Sequence, residues 1–309
     1  MKAWFVKQLA DPEEALVLEE ASEPAPGPGE VLIRVEAAAL NFLDILLCQG
    51  KYQEKPPLPF TPGAEIAGTV EAVGEGCQFT PGQRVMAIPP LPRGGYAQKV
   101  VVGERHVFPA PEGMPAEKAA AMFITYHTTY YALHHRARLQ PGEVLLVHAG
   151  SGGVGSAAIQ LGKAAGARVI ATAGGPEKVK ICRELGADVA IDYLQEDFVE
   201  VVKRETGGQG ADVIYDPVGG DTFDRSRKCI GFDGRILVIG FAGGRIADAP
   251  TNHALVKNYS IVGVHWGLFA RKKPEQVVEM HHQLMELYEK GAIDPLIFGT
   301  YPMEELPKA

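Results

Sequence analysis

The stretch Val144-Leu145-Leu146-Val147-His148-Ala149-Gly150-Ser151-Gly152-Gly153-Val154-Gly155-Ser156-Ala157-Ala158-Ile159-Gln160-Leu161 decides the fold. Its first five residues are an apolar run of strand length that lacks polar alternation, as a strand covered on both faces requires. Its last six have helical composition, and the glycines between them read G-x-G-x-x-G. Glycine is common in this chain, 36 of 309 residues, so the glycines alone carry little weight. The strand before them and the helix after them carry the reading. In that setting Gly150 is expected to permit the tight turn and Gly152 to let the backbone approach a pyrophosphate. Gly155 is expected to let the helix pack on the sheet. Gly150, Ser151, Gly152, Gly153, Val154 and Gly155 are therefore the candidate phosphate-binding residues, with the unpaired N–H groups of the helix start as donors. A glycine turn with no ligand is the competing reading, and a second strand at the right distance disfavours it.

Working outward, strands and helices alternate. Strands are expected at Arg168–Thr172, Asp188–Ile191, Ala211–Asp216, Arg235–Gly240 and Ser260–Val264. Helices are expected at Val154–Gly166, Glu177–Leu185, Phe198–Thr206 and Thr222–Cys229. This is the order of an α/β, Rossmann-type, doubly wound parallel sheet of six strands. A site that prefers NAD places an acid at the end of the second strand for the ribose 2′-hydroxyl. Here Arg168–Ala173 runs into Gly174-Gly175-Pro176 and the first acid is Glu177. Lys178 follows and can neutralise a 2′-phosphate, although a lone lysine at a helix start also serves as a solvated charge. The missing acid and the nearby lysine together favour NADPH as the cofactor.

Upstream, residues 1 to about 120 read as short strands divided by Gly and Pro, including Val31–Val35 after Pro26-Gly27-Pro28-Gly29 and Ala67–Val73 before Gly74-Glu75-Gly76. Such spacing points to a compact, barrel-like β-rich domain. Ala116–Leu139 is Ala-rich with helical periodicity and is expected to be one helix, closed by Gln140-Pro141-Gly142. A net charge of -8 offers no basic field to hold nucleic acid or an anionic membrane. No signal peptide or stretch of bilayer length is evident. The four cysteines, at 48, 77, 182 and 229, are scattered, as expected of a reduced cytoplasmic protein.

Several motifs together give the chain a family likeness. They are Asn41-Phe42-Leu43-Asp44, Pro62-Gly63-Ala64-Glu65-Ile66-Ala67-Gly68, Gly82-Gln83-Arg84-Val85 and Gly94-Gly95-Tyr96-Ala97. Gly152-Gly153-Val154-Gly155, Leu185-Gly186-Ala187-Asp188 and Tyr215-Asp216-Pro217-Val218-Gly219-Gly220 complete the set. With them the chain resembles the medium-chain dehydrogenase/reductase superfamily, in its zinc-independent quinone oxidoreductase branch, from residue 1 to about 303. The resemblance implies a GroES-like catalytic domain over 1–122, with a C-terminal return over 290–309, and a Rossmann-type NADP-binding domain over 123–289. It implies an active site in the cleft between them, and a homodimer. It puts Asn41 and Tyr52 on the substrate side of the nicotinamide, and Tyr126 and Thr129 near the nicotinamide ribose and ring. It puts Lys178 and Tyr193 at the 2′-phosphate, with Gly240, Phe241, Trp266 and Gly267 at the nicotinamide end. Relatives run on past Tyr301-Pro302-Met303 into a further helix and strand, so a sheet edge here is expected to be uncovered or paired differently.

Zinc-dependent relatives hold a catalytic ion with Cys, a His-Glu pair and a further Cys or acid. This chain has Asn41 at the Cys position and Ala64 before Glu65, and neither can ligate zinc. The adjacent pairs His134-His135 and His281-His282 are read as surface or interface residues, because neighbours on a helix do not share a face. No metal site is expected. Without a Lewis acid, electron-poor acceptors such as quinones or α,β-unsaturated carbonyls suit direct hydride transfer better than alcohols do. Asn41 is positioned by the resemblance to donate a hydrogen bond to a developing oxyanion, or else to cap the helix near Leu43. Tyr52 is read as a donor or as packing near Pro56-Pro57, and Asp44 as a cap. Leu46 stands where relatives often carry a second Tyr, which makes the pocket more apolar. The partner is then a small-molecule electron acceptor. An enoyl-thioester reductase and an NADPH-binding protein without turnover are the alternatives.

Overall fold

Alternating apolar residues in the first third of the chain form seven strands: β1 (Lys2–Val6), β2 (Leu16–Glu20), β3 (Glu30–Ala38), β4 (Ile66–Val73), β5 (Arg84–Ala87), β6 (Lys99–Gly103) and β7 (Val107–Pro109). The computed structural model describes residues 1–309, and these strands lie in the first of two units, Met1–Ile124 with Ile297–Ala309. β1 and β2 make an antiparallel ribbon, and the other five form an antiparallel sheet in the order β6-β3-β4-β5-β7. Every strand of that sheet sends side chains into one core: Val31 and Ile33, Ile66 and Val70, Val85 and Ala87, Val100 and Val102, and Val107. The two end strands share this core. Short helices fill its margins: α1 (Pro12–Ala15), α2 (Phe42–Cys48) and α3 (Ala116–Ala120). The C-terminal segment lies on β1, where Trp4 Nε1 donates to the Met303 carbonyl at 2.8 Å.

Residues 116–139 are not one helix. α3 stops at Ala120 and a new helix, α4 (Phe123–Tyr130), begins after Ala121 and Met122. It runs into a π-helix, Tyr131–Ala137, which ends on Arg138 in the left-handed region (φ 53°). The break has a non-local cause: the Glu65 carboxylate accepts the Ile124 N–H at 2.7 Å and so caps the first turn of α4.

The second unit, Thr125–Leu296, holds six parallel strands: β8 (Val144–Val147), β9 (Arg168–Ala173), β10 (Val189–Asp192), β11 (Ala211–Asp216), β12 (Ile230–Val238) and β13 (Ser260–Gly263). Their order is β10-β9-β8-β11-β12-β13, the doubly wound arrangement with its switch point between β8 and β11. The connecting helices are α5 (Gly153–Ala164), α6 (Pro176–Glu184), α7 (Phe198–Glu205), α8 (Gly220–Ser226) and α9 (Thr251–Lys257), and α10 (Trp266–Lys272) and α11 (Pro274–Glu289) follow the last strand. Leu145, Leu146, Val169, Ile170, Val213 and Ile214 are fully buried, as central parallel strands require. The chain returns to the first unit at Ile297. Residues just before that point are held in the second unit, with Ile293 buried and Asp294 exchanging two hydrogen bonds with the Gln160 side chain of α5 (2.7 and 2.8 Å).

Candidate functional site

The glycine turn joins β8 to α5, and each glycine answers a different constraint. A Cβ on Gly155 would stand 2.1 Å from the Ala149 carbonyl oxygen, so only glycine lets α5 start this close to the strand end. Gly150 is needed for space: its Cβ would meet Cys182 Sγ at 2.9 Å and Ala171 Cβ at 3.0 Å. The left-handed residue of the turn is Ala149 (φ 50°), not Gly150, which corrects the expected role of Gly150. Gly152 is the N-cap of α5 in extended conformation, and its Cβ would meet only the Ala149 oxygen, at 3.3 Å. Gly153 is exposed and Val154 half-buried, while Ser151 is buried. The first helical N–H groups, at Gly153, Val154 and Gly155, have no partner available within the helix. With the helix dipole, such N–H groups suit an anion that comes close to the backbone.

Because the sheet is parallel, its strand ends share one edge, and the predicted residues of this unit other than Tyr126 and Thr129 fall along it. Beyond β9, the Tyr193 ring lies over Gly174: a Cβ there would come within 2.7 Å of the phenol oxygen. Lys178 is exposed in the first turn of α6. Asp192 sits directly across from Ala173 in the ladder, an acid that strand reading alone did not place there. Its Oδ1 accepts the N–H groups of Gly175 (2.9 Å) and Leu194 (3.1 Å), which ties the two strand ends together. Beyond β11, the buried Asp216 accepts from Val218 and Gly219, both at 2.9 Å. Gly219, at φ 71°, leaves room for the Phe241 ring, which is 3.0 Å from where a Cβ would stand. Gly240 and Phe241 follow the end of β12, and Trp266 and Gly267 open α10 just past β13. Four ladder steps separate the Tyr193 end from the Phe241 end, roughly 20 Å, which suits a dinucleotide stretched along the edge.

Tyr126 and Thr129 are set deeper than that edge. Tyr126 is 1% exposed and donates its hydroxyl to Gln160 Oε1 at 3.0 Å. Thr129 is fully buried, with its Oγ1 2.8 Å from the Tyr215 hydroxyl and 3.4 Å from the Val154 carbonyl, so it braces the phosphate turn. Trp266 packs among aromatic rings, with its centroid 5.3 Å from His127 and 5.7 Å from Phe269. His134 and His135 line one hollow of about 280 Å³ with Tyr130, Glu279 and Gln283. His148 bridges Thr172 on β9 (3.0 Å) and Ser226 on α8 (2.8 Å). Burial pushes its pKa down to about 3, so the ring is neutral.

The first unit carries a separate cluster around α2. Asn41 is the N-cap and Asp44 closes a capping box with it, its Oδ2 accepting the Asn41 N–H at 3.0 Å. Asp44 also accepts the Tyr96 hydroxyl at 2.8 Å and the Gly63 N–H at 3.1 Å. The Asn41 Nδ2 donates to Glu65 Oε1 at 2.9 Å. Both acids are buried, and desolvation raises Asp44 to about 6 and Glu65 to about 7. Tyr52 is half-buried on the cluster of Val6, Leu47 and Phe60. Glu65 is the residue that motif reading passed over. The available signal was an acid set directly against the apolar strand Ile66–Val70.

Two family signatures match the chain: "Alcohol dehydrogenase GroES-like domain" over residues 27–112 and "Zinc-binding dehydrogenase" over residues 153–283. A quinone oxidoreductase-like protein 2 homolog of Nematostella vectensis is 39% identical over 286 residues, covering 92% of this chain and 78% of that protein. The quinone oxidoreductase of Homo sapiens is 33% identical over 310 residues, covering 100% and 92%. The crystal structure of Escherichia coli quinone oxidoreductase complexed with NADPH superposes with a TM-score of 0.91 at 29% identity, covering 100% of this chain and 94% of that one. A two-domain dehydrogenase/reductase is the class that fold and site define. The chain belongs to the medium-chain dehydrogenase/reductase superfamily, in its quinone oxidoreductase branch. One signature names zinc, and the residues around Asn41 do not fit that ion: an amide already bonded to a carboxylate, beside Ala64, supplies neither thiolate nor imidazole.

Proposed function

We propose that the chain is an NADPH-dependent oxidoreductase that passes hydride to a quinone or an α,β-unsaturated carbonyl without zinc. The observation that carries this reading is the open start of α5 at the switch point of the sheet. Tyr193 and Lys178 lie toward one end of that edge, and Phe241 and Trp266 toward the other. The NADPH named in the E. coli structure supports the choice of cofactor. When bound, NADPH supplies the hydride. The chain's part is to grip the diphosphate through backbone N–H groups, to meet the 2′-phosphate with Lys178, and to offer an Asn41 N–H to negative charge gathering on the acceptor oxygen. No helix is long and apolar enough to cross a membrane, and all four cysteines are unpaired, which supports a cytoplasmic setting.

The deciding experiment follows the oxidation of NADPH by EDTA-treated protein across quinones, enones and enoyl-CoA esters. Turnover of at least one class, undiminished by the chelator, is expected. Tight NADPH binding with no oxidation across the panel would instead make this a cofactor-holding protein. Turnover restricted to the enoyl esters would make it an enoyl-thioester reductase.

We further infer that two copies pair through β13. It is an edge strand of the sheet, and the helix leading into it leaves Leu255 and Val256 about four-fifths exposed (80% and 79%). Light scattering should give a dimer that Leu255→Glu with Val256→Glu converts to a monomer; a monomeric parent protein would refute the pairing.

A further inference from the structure

Three N–H donors converge on the Glu65 carboxylate. They are Asn41 Nδ2 at 2.9 Å on Oε1, the Ile124 backbone at 2.7 Å on Oε2, and the Phe123 backbone. An ionised carboxylate is an acceptor only, so it can satisfy all three. The same convergence decides which way the Asn41 amide faces. Its nitrogen must point at Glu65, its oxygen side belongs to the start of α2, and one Nδ2 hydrogen remains uncommitted. We propose that Glu65 is a positioning residue for hydride transfer, holding the Asn41 amide so that its remaining N–H is presented in a fixed direction to the acceptor oxygen. This rests on the proposed reductase reading and adds to it the residue through which Asn41 acts.

A neutral group at position 65 cannot do this. A glutamine there must turn its own NH2 toward either Asn41 Nδ2 or the Phe123 and Ile124 N–H groups, and each arrangement sets donor against donor. Rotating Asn41 to relieve it moves the conflict to the N-cap. Protonated Glu65 meets a related conflict, because its O–H must also point at a donor. The ionisable groups facing Glu65 are Asp44 on α2 and Tyr96 ahead of β6, with Cys48 behind them, while α4 presents backbone N–H groups. Burial, and to a smaller extent the acid Asp44, favours the proton on Glu65 and raises its titration to about 7.

A double-mutant cycle tests the proposal. Glu65→Gln should lower kcat about ten- to a hundredfold, the size of one lost charge-assisted hydrogen bond, with little change in the KM for NADPH. In an Asn41→Ala background the same change should cost almost nothing further in kcat, since the group it positions is gone. The parent enzyme should lose kcat as pH falls through about 7 on this group, and Glu65→Gln should lack that limb. A purely structural role, in capping α4, would lower the melting temperature and reduce kcat equally in both backgrounds. That outcome, or an unchanged acid limb in Glu65→Gln, would overturn the proposal.

If no acceptor is ever turned over, the reductase reading falls and a second measurement still decides the position of Asn41. In protein carrying 15N-asparagine, one Asn41 Nδ2 proton should be shifted downfield and exchange slowly at pH 8. Both features should vanish in Glu65→Gln. Their absence from the parent protein would refute the positioning.

Discussion

At the residue scale, single atoms decide. The 2.1 Å that would separate a Cβ on Gly155 from the Ala149 oxygen is a backbone clash, so no side-chain rotation relieves it. Gly155→Ala should cost about 1–3 kcal/mol, as overpacking does, and displace the start of α5. The expected result is a melting temperature lower by several degrees and NADPH affinity reduced at least tenfold by titration calorimetry. Lys178→Glu tests a different atom pair. It should weaken NADPH about tenfold or more and NADH little, because only one of them carries the 2′-phosphate. Equal losses for the two cofactors would remove Lys178 from that role. The glycines at 150, 152 and 155 were legible from their spacing between an apolar strand and a helix. The reason for Gly150 was not, since Cys182 and Ala171 reach it from other elements.

At the element scale, what could be read followed the range of its cause. The six strands and four of the five helices between 144 and 264 were legible because apolar runs and glycine or proline breaks are local signals, while α9 (Thr251–Lys257) was not expected. The break after Ala120 was illegible, because the group that caps α4 is Glu65, more than fifty residues upstream. β12 likewise begins at Ile230 rather than Arg235, carrying Asp233 in the left-handed region (φ 55°) within the strand. His148 shows the same dependence on partners from elsewhere. It ends an apolar run in the sequence, and only the fold reveals that it joins Thr172 on β9 to Ser226 on α8. Replacing it with Leu, a side chain of similar volume, would strand the Thr172 hydroxyl and remove the ring that meets Phe198 edge-on, at a cost of about 1–3 kcal/mol. Chemical denaturation should show that loss as a lower midpoint with an unchanged slope. A cost below about 0.5 kcal/mol would mean that the bridge carries no stability.

At the scale of the whole molecule, the most strongly shifted groups of the two units are expected to respond to acid with opposite sign, with the lowered His106 opposing the two acids of the first unit. In the first unit, Glu65 moves from its usual 4.5 up to about 7 and Asp44 from 3.8 up to about 6. The folded unit therefore binds these protons more tightly than the unfolded chain. Their contribution to stability is full below pH 4 and is lost as pH rises through 6 and 7. In the second unit, burial takes His148 from 6.5 down to about 3, so the unfolded chain binds that proton more tightly. Its contribution is full above 6.5 and is lost as pH falls toward 3. Glu143 and Asp188, held low by Arg235 and Lys163, act in the same sense as His148, and the raised Asp216 opposes them. Hydrogen exchange, corrected for intrinsic rates, should then show β3–β5 gaining protection between pH 7 and pH 4.5 while β8, β9 and β11 lose it. Glu65→Gln should flatten the first trend and His148→Leu the second. Protection that moved together in both units would refute the assignment. The trend in the first unit also bears on function. Folding favours the neutral form of Glu65, whereas the placement of Asn41 requires the ionised one, so substitutions that stabilise this unit by removing that charge should slow the reaction they leave intact.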